Sequence, residues 1–144
     1  MTNNLPLTSR SLPITLLRAR EKVMGPIRAM LADVGITEQQ WRVLRVLQEE
    51  GPQEPTKIAE RACLLLPSLT RILQKLEEKD LITRHQDSKD RRRQIIEITA
   101  EGLGIIRENL MPSIRAAERI RAHLGHENYE SLLDLLGELN EMDG

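Results

Sequence analysis

Residues 64–102, LLLPSLTRILQKLEEKDLITRHQDSKDRRRQIIEITAEG, place an apolar helix pattern, two short β-branched runs and an arginine-crowded turn in direct succession. That order constrains the fold more than any other feature of the chain, because a plain helical core has no use for the turn. Leu69, Ile72, Leu73 and Leu76 recur at helical spacing and define one apolar face, with Pro67 suited to a first helical position. LITRHQ and RQIIEIT flank the polar turn DSKDRR, which predicts a hairpin with a basic tip.

Helical patterns lie on both sides of this stretch. From Leu12 to Val34 the residues Leu16, Leu17, Val23, Met24, Ile27, Met30, Leu31 and Val34 are largely three or four apart, and Pro26 predicts a kink or short break near Gly25. Thr37 followed by Gln40 is a capping box that opens a second helix, with Trp41, Val43, Leu44 and Leu47 buried. Gly51 and Pro52 stop it. A short helix beginning at Pro55 or Thr56 turns Ile58, Ala59 and Ala62 inwards, and with the next helix it forms a helix-turn-helix. After the hairpin, Thr99 reads as the N-cap of one long helix from Ala100 to about Leu124, bent near Leu110 by Pro112. Gly125 separates a last amphipathic helix.

The expected fold is mainly α with a small β-hairpin wing. It is a winged helix-turn-helix, residues 37–99, flanked by N-terminal (1–36) and C-terminal (100–144) dimerisation helices. The apolar face of residues 12–34 and the leucines 132, 133, 135, 136 and 139 exceed what one small wing domain can cover, so a second copy of the chain is their natural partner.

Charge points to a second partner. The formal net charge is only −1, yet Arg61 to Arg93 holds nine Lys/Arg against five Asp/Glu, while Gly125 to Gly144 holds six acids and no Lys or Arg. The first segment suits a polyanion. In it, Ser68, Thr70, Arg71, Gln74 and Lys75 form the polar face of a recognition helix for the major groove. Arg91, Arg92 and Arg93 crowd the hairpin tip, where an arginine such as Arg92 can enter the minor groove. Asp90 is an odd choice beside DNA unless it orients one of these arginines through a paired hydrogen bond.

At these residues the chain resembles the multiple antibiotic resistance regulator (MarR) family of winged-helix transcription factors. TEQQWRVLRVL, PSLTRILQKLEEKDLITR and DSKDRRRQIIEITAEG carry the resemblance, and the wing holds the family's Asp-x-Arg pattern as Asp90-Arg91-Arg92. ITEQQWRVLRVL with ACLLLPSLTRIL looks most like the homoprotocatechuate degradation regulator branch. The resemblance implies a homodimeric repressor on a pseudo-palindromic operator in double-stranded DNA, controlling aromatic catabolism and released by a phenolic acid. Arg93 departs from the pattern, since many family members carry a small residue there; it adds a phosphate contact or shifts the tip.

An aromatic carboxylate needs a cation and a flat apolar wall. Trp41 reads as a core aromatic whose outer edge lines an effector pocket between the first two helices and the long fifth one. Ser11, Arg18, Arg20 and Arg42 are the candidate polar groups, whereas Arg45 has the spacing of an ordinary exposed ion pair with Glu49. In related regulators the carboxylate meets an arginine on the first helix, which by resemblance favours Arg18 or Arg20.

Other classes find less in the sequence. There is no nucleophile paired with a base, no phosphate-binding glycine loop and no metal-ligand spacing, so neither an enzyme nor a cofactor is expected. The lone Cys63 reads as a small buried side chain, with a redox-sensing repressor as the alternative. A helical protein–protein interaction module is the other alternative. The polar, proline-interrupted N-terminus and the lack of an apolar run near the ~20 residues of a membrane helix point to the cytoplasm.

Overall fold

The computed structural model describes residues 5–144. A 3-10 turn at Thr8–Arg10 precedes helices α1 (Leu12–Ala32), α2 (Glu38–Glu50), α3 (Pro55–Arg61) and α4 (Leu66–Glu78). Strands β1 (Ile82–Gln86) and β2 (Gln94–Ile98) form the hairpin, and α5 (Ala100–Glu108), α6 (Leu110–Leu124) and α7 (His126–Asn140) complete the chain. Two compact units result: residues 28–110 form one, and residues 5–27 with 111–144 form the other.

Residues 28–110 contain the core. Leu44 and Leu47 of α2, Ile58 of α3, Leu69, Leu73 and Leu76 of α4, and Ile82 and Ile96 of the hairpin are all buried. Trp41 and Val43 join them, as their spacing predicts. At the start of α2 both halves of the capping box form: Gln40 N–H donates to Thr37 Oγ1 at 3.1 Å, and Thr37 N–H donates to Gln40 Oε1 at 3.1 Å. Thr37→Ala is therefore expected to cost about 1 kcal/mol in urea denaturation, whereas Thr37→Ser retains the acceptor and most of the stability.

Three helix ends are closed by the same device. After α1, α3 and α4 the chain passes through a positive φ at Gly35 (70°), Cys63 (56°) and Asp80 (62°). The next N–H then bonds back five residues, from Ile36 to Leu31 O, Leu64 to Ala59 O and Leu81 to Leu76 O, at 3.0, 2.8 and 3.0 Å. This is the Schellman closure, which satisfies carbonyls that the helix leaves open. It also corrects the expectation of a buried Cys63. The cysteine occupies the left-handed position of the turn and its side chain is exposed, while Ala62 before it is buried.

The hairpin pairs antiparallel from Ile82↔Ile98 to Gln86↔Gln94. A short third partner joins it: Gln53 and Ile96 exchange backbone hydrogen bonds of 3.0 and 2.8 Å, so the α2–α3 connection adds an isolated bridge to β2.

Of the kink or short break expected near Gly25, the break does not occur: α1 continues through Gly25 and Pro26. The expected single helix from Ala100 to Leu124 is instead two, separated at Asn109. Pro112 has no N–H for the Glu108 carbonyl and its ring crowds that group, so the ladder fails four residues upstream. Asn109 is buried, and its Nδ2 donates to Ile105 O at 2.7 Å, which satisfies the amide at the break.

In the other unit, no described side chain of residues 5–27 or 111–144 is buried. Leu16, Leu17, Val23, Ile114, Leu132, Leu133 and Leu135 are each at least 40% exposed. A cavity of about 580 Å³ opens among side chains of α1, α6 and α7, lined by Val23, Pro26, Ile120, Leu124 and Leu132, with Lys22, Arg119 and His123 also contributing.

Candidate nucleic-acid interface

Helix α4 is strongly two-faced. Leu69, Leu73 and Leu76 anchor it in the core, Ile72 is half-buried, and Ser68, Thr70, Arg71, Gln74 and Lys75 are exposed. Lys79 fixes the far end of the helix by donating to Gly35 O at 2.7 Å and Gln40 Oε1 at 3.2 Å. The same Gln40 oxygen thus serves the capping box and the clip, so the start of α2 and the end of α4 are held together. Beside them Ser68, Arg71 and Lys75 line a cavity of about 380 Å³ with Thr37 and Gln39. Thr70 is directed elsewhere: its hydroxyl donates to Leu66 O, 3.2 Å away on its own helix. Leu65, at the N-cap of α4, provides no side-chain cap, which leaves the first-turn amides open to an acceptor from outside.

The arginines at the wing divide into two kinds. Arg91 is exposed, and the Arg92 side chain is 92% exposed. Asp90 Oδ1 accepts from the Arg92 backbone N–H at 3.1 Å and from Arg92 Nε at 3.3 Å, so one carboxylate holds both ends of that residue. Arg93 turns back towards the protein. Its Nη2 donates to Glu54 Oε1 at 2.6 Å, and its Nη1 lies 3.4 Å from Asp87 Oδ2. The Glu54 hydrogen bond, followed by the Glu54 charge, raises the guanidinium above its ordinary pKa. The sequence alone gives Glu54 no visible role, because its partner is thirty-nine positions away.

The residues considered for an effector lie in both units. Ser11 follows the 3-10 turn and its carbonyl accepts Thr15 N–H at 2.8 Å. Arg18 Nη2 donates to Thr8 Oγ1 at 3.1 Å, and Arg20 is exposed on α1. Trp41 is 9% exposed. Next to it, Arg42 Nε is enclosed and has no hydrogen-bond partner among the described residues. Among those residues there is also no group of three or more His, Cys, Asp and Glu that could hold a metal, and no helix long and apolar enough to cross a membrane.

Comparison with known proteins gives one consistent answer. The MarR family model matches residues 36–93. The chain is 38% identical to the HTH-type transcriptional regulator FarR of Neisseria gonorrhoeae over 92% of its own length and 91% of that protein. It is 37% identical to the homoprotocatechuate degradative operon repressor of Escherichia coli, over 89% of this chain and 86% of the repressor. Among solved structures, NadR in complex with 4-hydroxyphenylacetate superposes with a TM-score of 0.85 at 37% identity, over 99% of this chain and 100% of that one. With the helix-turn-helix, the hairpin and this near full-length similarity, the chain belongs to the MarR family of winged-helix transcriptional regulators.

Proposed function

We propose that the protein is a dimeric repressor of aromatic-acid catabolism genes, which grips a pseudo-palindromic operator through α4 and the wing and releases it when a phenolic acid binds. The observation that carries the DNA-binding part is the division of α4 into a buried leucine face and an exposed face bearing Arg71, Gln74 and Lys75, in the same unit as the exposed Arg91 and Arg92. Side chains of this kind donate to base edges and phosphates. Ser68, Thr70, Asp90 and Arg93 complete the set assigned to the interface, Asp90 by orienting Arg92. The part played by Arg93 is taken up below.

The dimer reading is supported by the unit that lacks buried side chains. Leucines and isoleucines left this exposed on α1, α6 and α7 call for a covering surface, and a second copy supplies one of identical chemistry. In this reading residues 1–36 and 100–144 pair the protomers and residues 37–99 bind DNA.

For the effector, the names of two relatives supply the chemistry: one represses a homoprotocatechuate operon and another was solved with 4-hydroxyphenylacetate. The candidates for such an acid are Trp41 and Arg42 in the unit of residues 28–110, and Ser11, Arg18 and Arg20 in the other unit. The enclosed, unpartnered Nε of Arg42, adjacent to Trp41 in sequence, favours Arg42 as the cation. An acid that binds better to a dimer with mismatched recognition-helix spacing, away from roughly 34 Å, weakens the operator complex. A differential affinity of ~1–3 kcal/mol is sufficient.

The test is a fluorescence-anisotropy titration onto the DNA upstream of the protein's own gene, with hydroxylated phenylacetic, benzoic and cinnamic acids added in turn. Tight, salt-sensitive binding released by one acid is the expected result. Binding that no acid disturbs removes the phenolic effector, and no binding to that DNA or to any selected sequence removes the repressor.

A further inference from the structure

Arg93 sits at a position that invites a phosphate contact, yet its side chain is committed elsewhere. Glu54 Oε1 is 2.6 Å from Nη2 and Asp87 Oδ2 is 3.4 Å from Nη1. With two carboxylates against one guanidinium, the positive charge of Arg93 is already matched locally, and this side chain has little left to offer a phosphate. The geometry points to a different role. We propose that Arg93 is a positioning residue: its ion pair with Glu54 fixes the wing tip against the start of α3 and thereby aims Arg91 and Arg92, without touching DNA. This rests on the DNA-binding reading above.

The mechanics follow from where the hairpin is held. Its middle is anchored by the Gln53–Ile96 backbone bridge and by Ile96 itself, which is fully buried. Strand β1 has its own tie, Arg84 Nε to Glu77 Oε1 at 3.4 Å. Strand pairing ends at Gln86↔Gln94, and the turn 87–93 continues beyond it. Within that turn, Asp87 N–H donates to Arg93 O at 2.9 Å and Arg93 N–H donates to Asp90 O at 3.0 Å. Arg93 is therefore the neck of the loop, and its backbone is bonded to the same Asp90 that holds Arg92. Glu54 belongs to a different element, as the N-cap residue of α3, directly after the bridging Gln53. A tie from the neck to Glu54 turns a hairpin held only at mid-strand into one held at two levels. Because the backbone bridge and the core are untouched, removing the tie frees the tip without unfolding the unit.

The proposal makes a prediction that simple electrostatics reverses. Glu54→Gln deletes a negative charge near the DNA face, which by charge alone tightens binding. If Glu54 instead holds the tip in place, the same substitution weakens operator binding by about fivefold, the size expected from a half-exposed ion pair. Arg93→Gln weakens it to a similar or slightly greater extent, since Asp87 is released as well. The double substitution is no worse than Arg93→Gln, because both remove one interaction. The exchanged pair Glu54→Arg with Arg93→Glu recovers part of the lost affinity, because the carboxylate then at position 93 faces Asp87.

The experiment measures operator affinity of these variants by anisotropy and, on the free protein, amide hydrogen exchange through residues 86–94. Faster exchange at the turn in Glu54→Gln, an unchanged urea midpoint and weaker binding partly rescued by the exchanged pair are the expected results. Tighter or unchanged binding for Glu54→Gln, combined with weaker binding and a reduced salt slope for Arg93→Gln, identifies Arg93 as a phosphate contact and overturns the proposal. Unaltered turn exchange in Glu54→Gln overturns it too. If wild-type protein binds no DNA, the repressor reading fails by itself, and the exchange measurement still decides whether the tie holds the tip.

Discussion

Gly102→Ala is expected to destabilise the protein by about 3 kcal/mol, at the upper end of ordinary overpacking. Gly102 lies in the first turn of α5, buried, with its N–H donated to Thr99 Oγ1 at 3.0 Å. A Cβ there meets Leu81 O at 2.5 Å and Ile98 Cγ1 at 2.6 Å. The oxygen cannot retreat, because Thr99 N–H holds it at 3.0 Å, and the Thr99 hydroxyl is itself bound to Asp80 O at 2.8 Å. The added methyl group must therefore lift the start of α5 from the strand or break the cap. Gly104 provides the control. It lies in the same helix with nothing within 4 Å of its Cβ position, so Gly104→Ala gains roughly 0.5–1 kcal/mol from reduced backbone freedom. Urea denaturation at one fixed protein concentration gives both values, and loss of stability in both variants removes the steric argument.

The parts of this architecture legible in the sequence are those decided by neighbours along the chain. Thr37 and Gln40 are three apart and form their box; Leu69, Leu73 and Leu76 share a helix face and are buried; the β-branched runs around the basic turn pair as a hairpin. What escaped notice depends on partners distant in sequence or on the detailed form of a turn. Cys63 reads as a small apolar residue, and only the left-handed closure after α3 turns it outwards. Pro112 announces a bend near Leu110, and the helix goes further and divides in two at Asn109, because the missing N–H belongs to a carbonyl four residues earlier. Gln53 looks like loop until Ile96 is placed opposite it, and Arg93 is only a departure from the family pattern, open to two roles, until Glu54 is brought alongside. The arginine run announces a basic surface. It does not say which members of the run are free to use it.

Arg71→Ala is expected to raise the operator dissociation constant by roughly 10- to 100-fold while changing affinity for random DNA much less. A side chain that makes paired hydrogen bonds to a base edge contributes about 1–3 kcal/mol of discrimination, and each 1.4 kcal/mol is a factor of ten. Arg71 is placed for this: it is exposed on the polar side of α4, between the buried Leu69 and Leu73, and shares its cavity with Ser68 and Lys75. Its removal takes nothing from the core, so the variant keeps its fold and the loss is read on DNA alone. Arg92→Ala is the contrasting case. Standing almost fully exposed at the wing tip and held by Asp90, Arg92 is suited to the electrostatic potential of the minor groove. Its loss therefore weakens operator and random DNA together and lowers the slope of log affinity against log salt by about one unit. Titrations of both variants on operator and scrambled duplexes at several salt concentrations separate the two roles. An equal loss on both duplexes for Arg71→Ala assigns that arginine to the phosphates, and base selection then passes to Gln74 and Lys75, the exposed hydrogen-bond donors farther along the same helix.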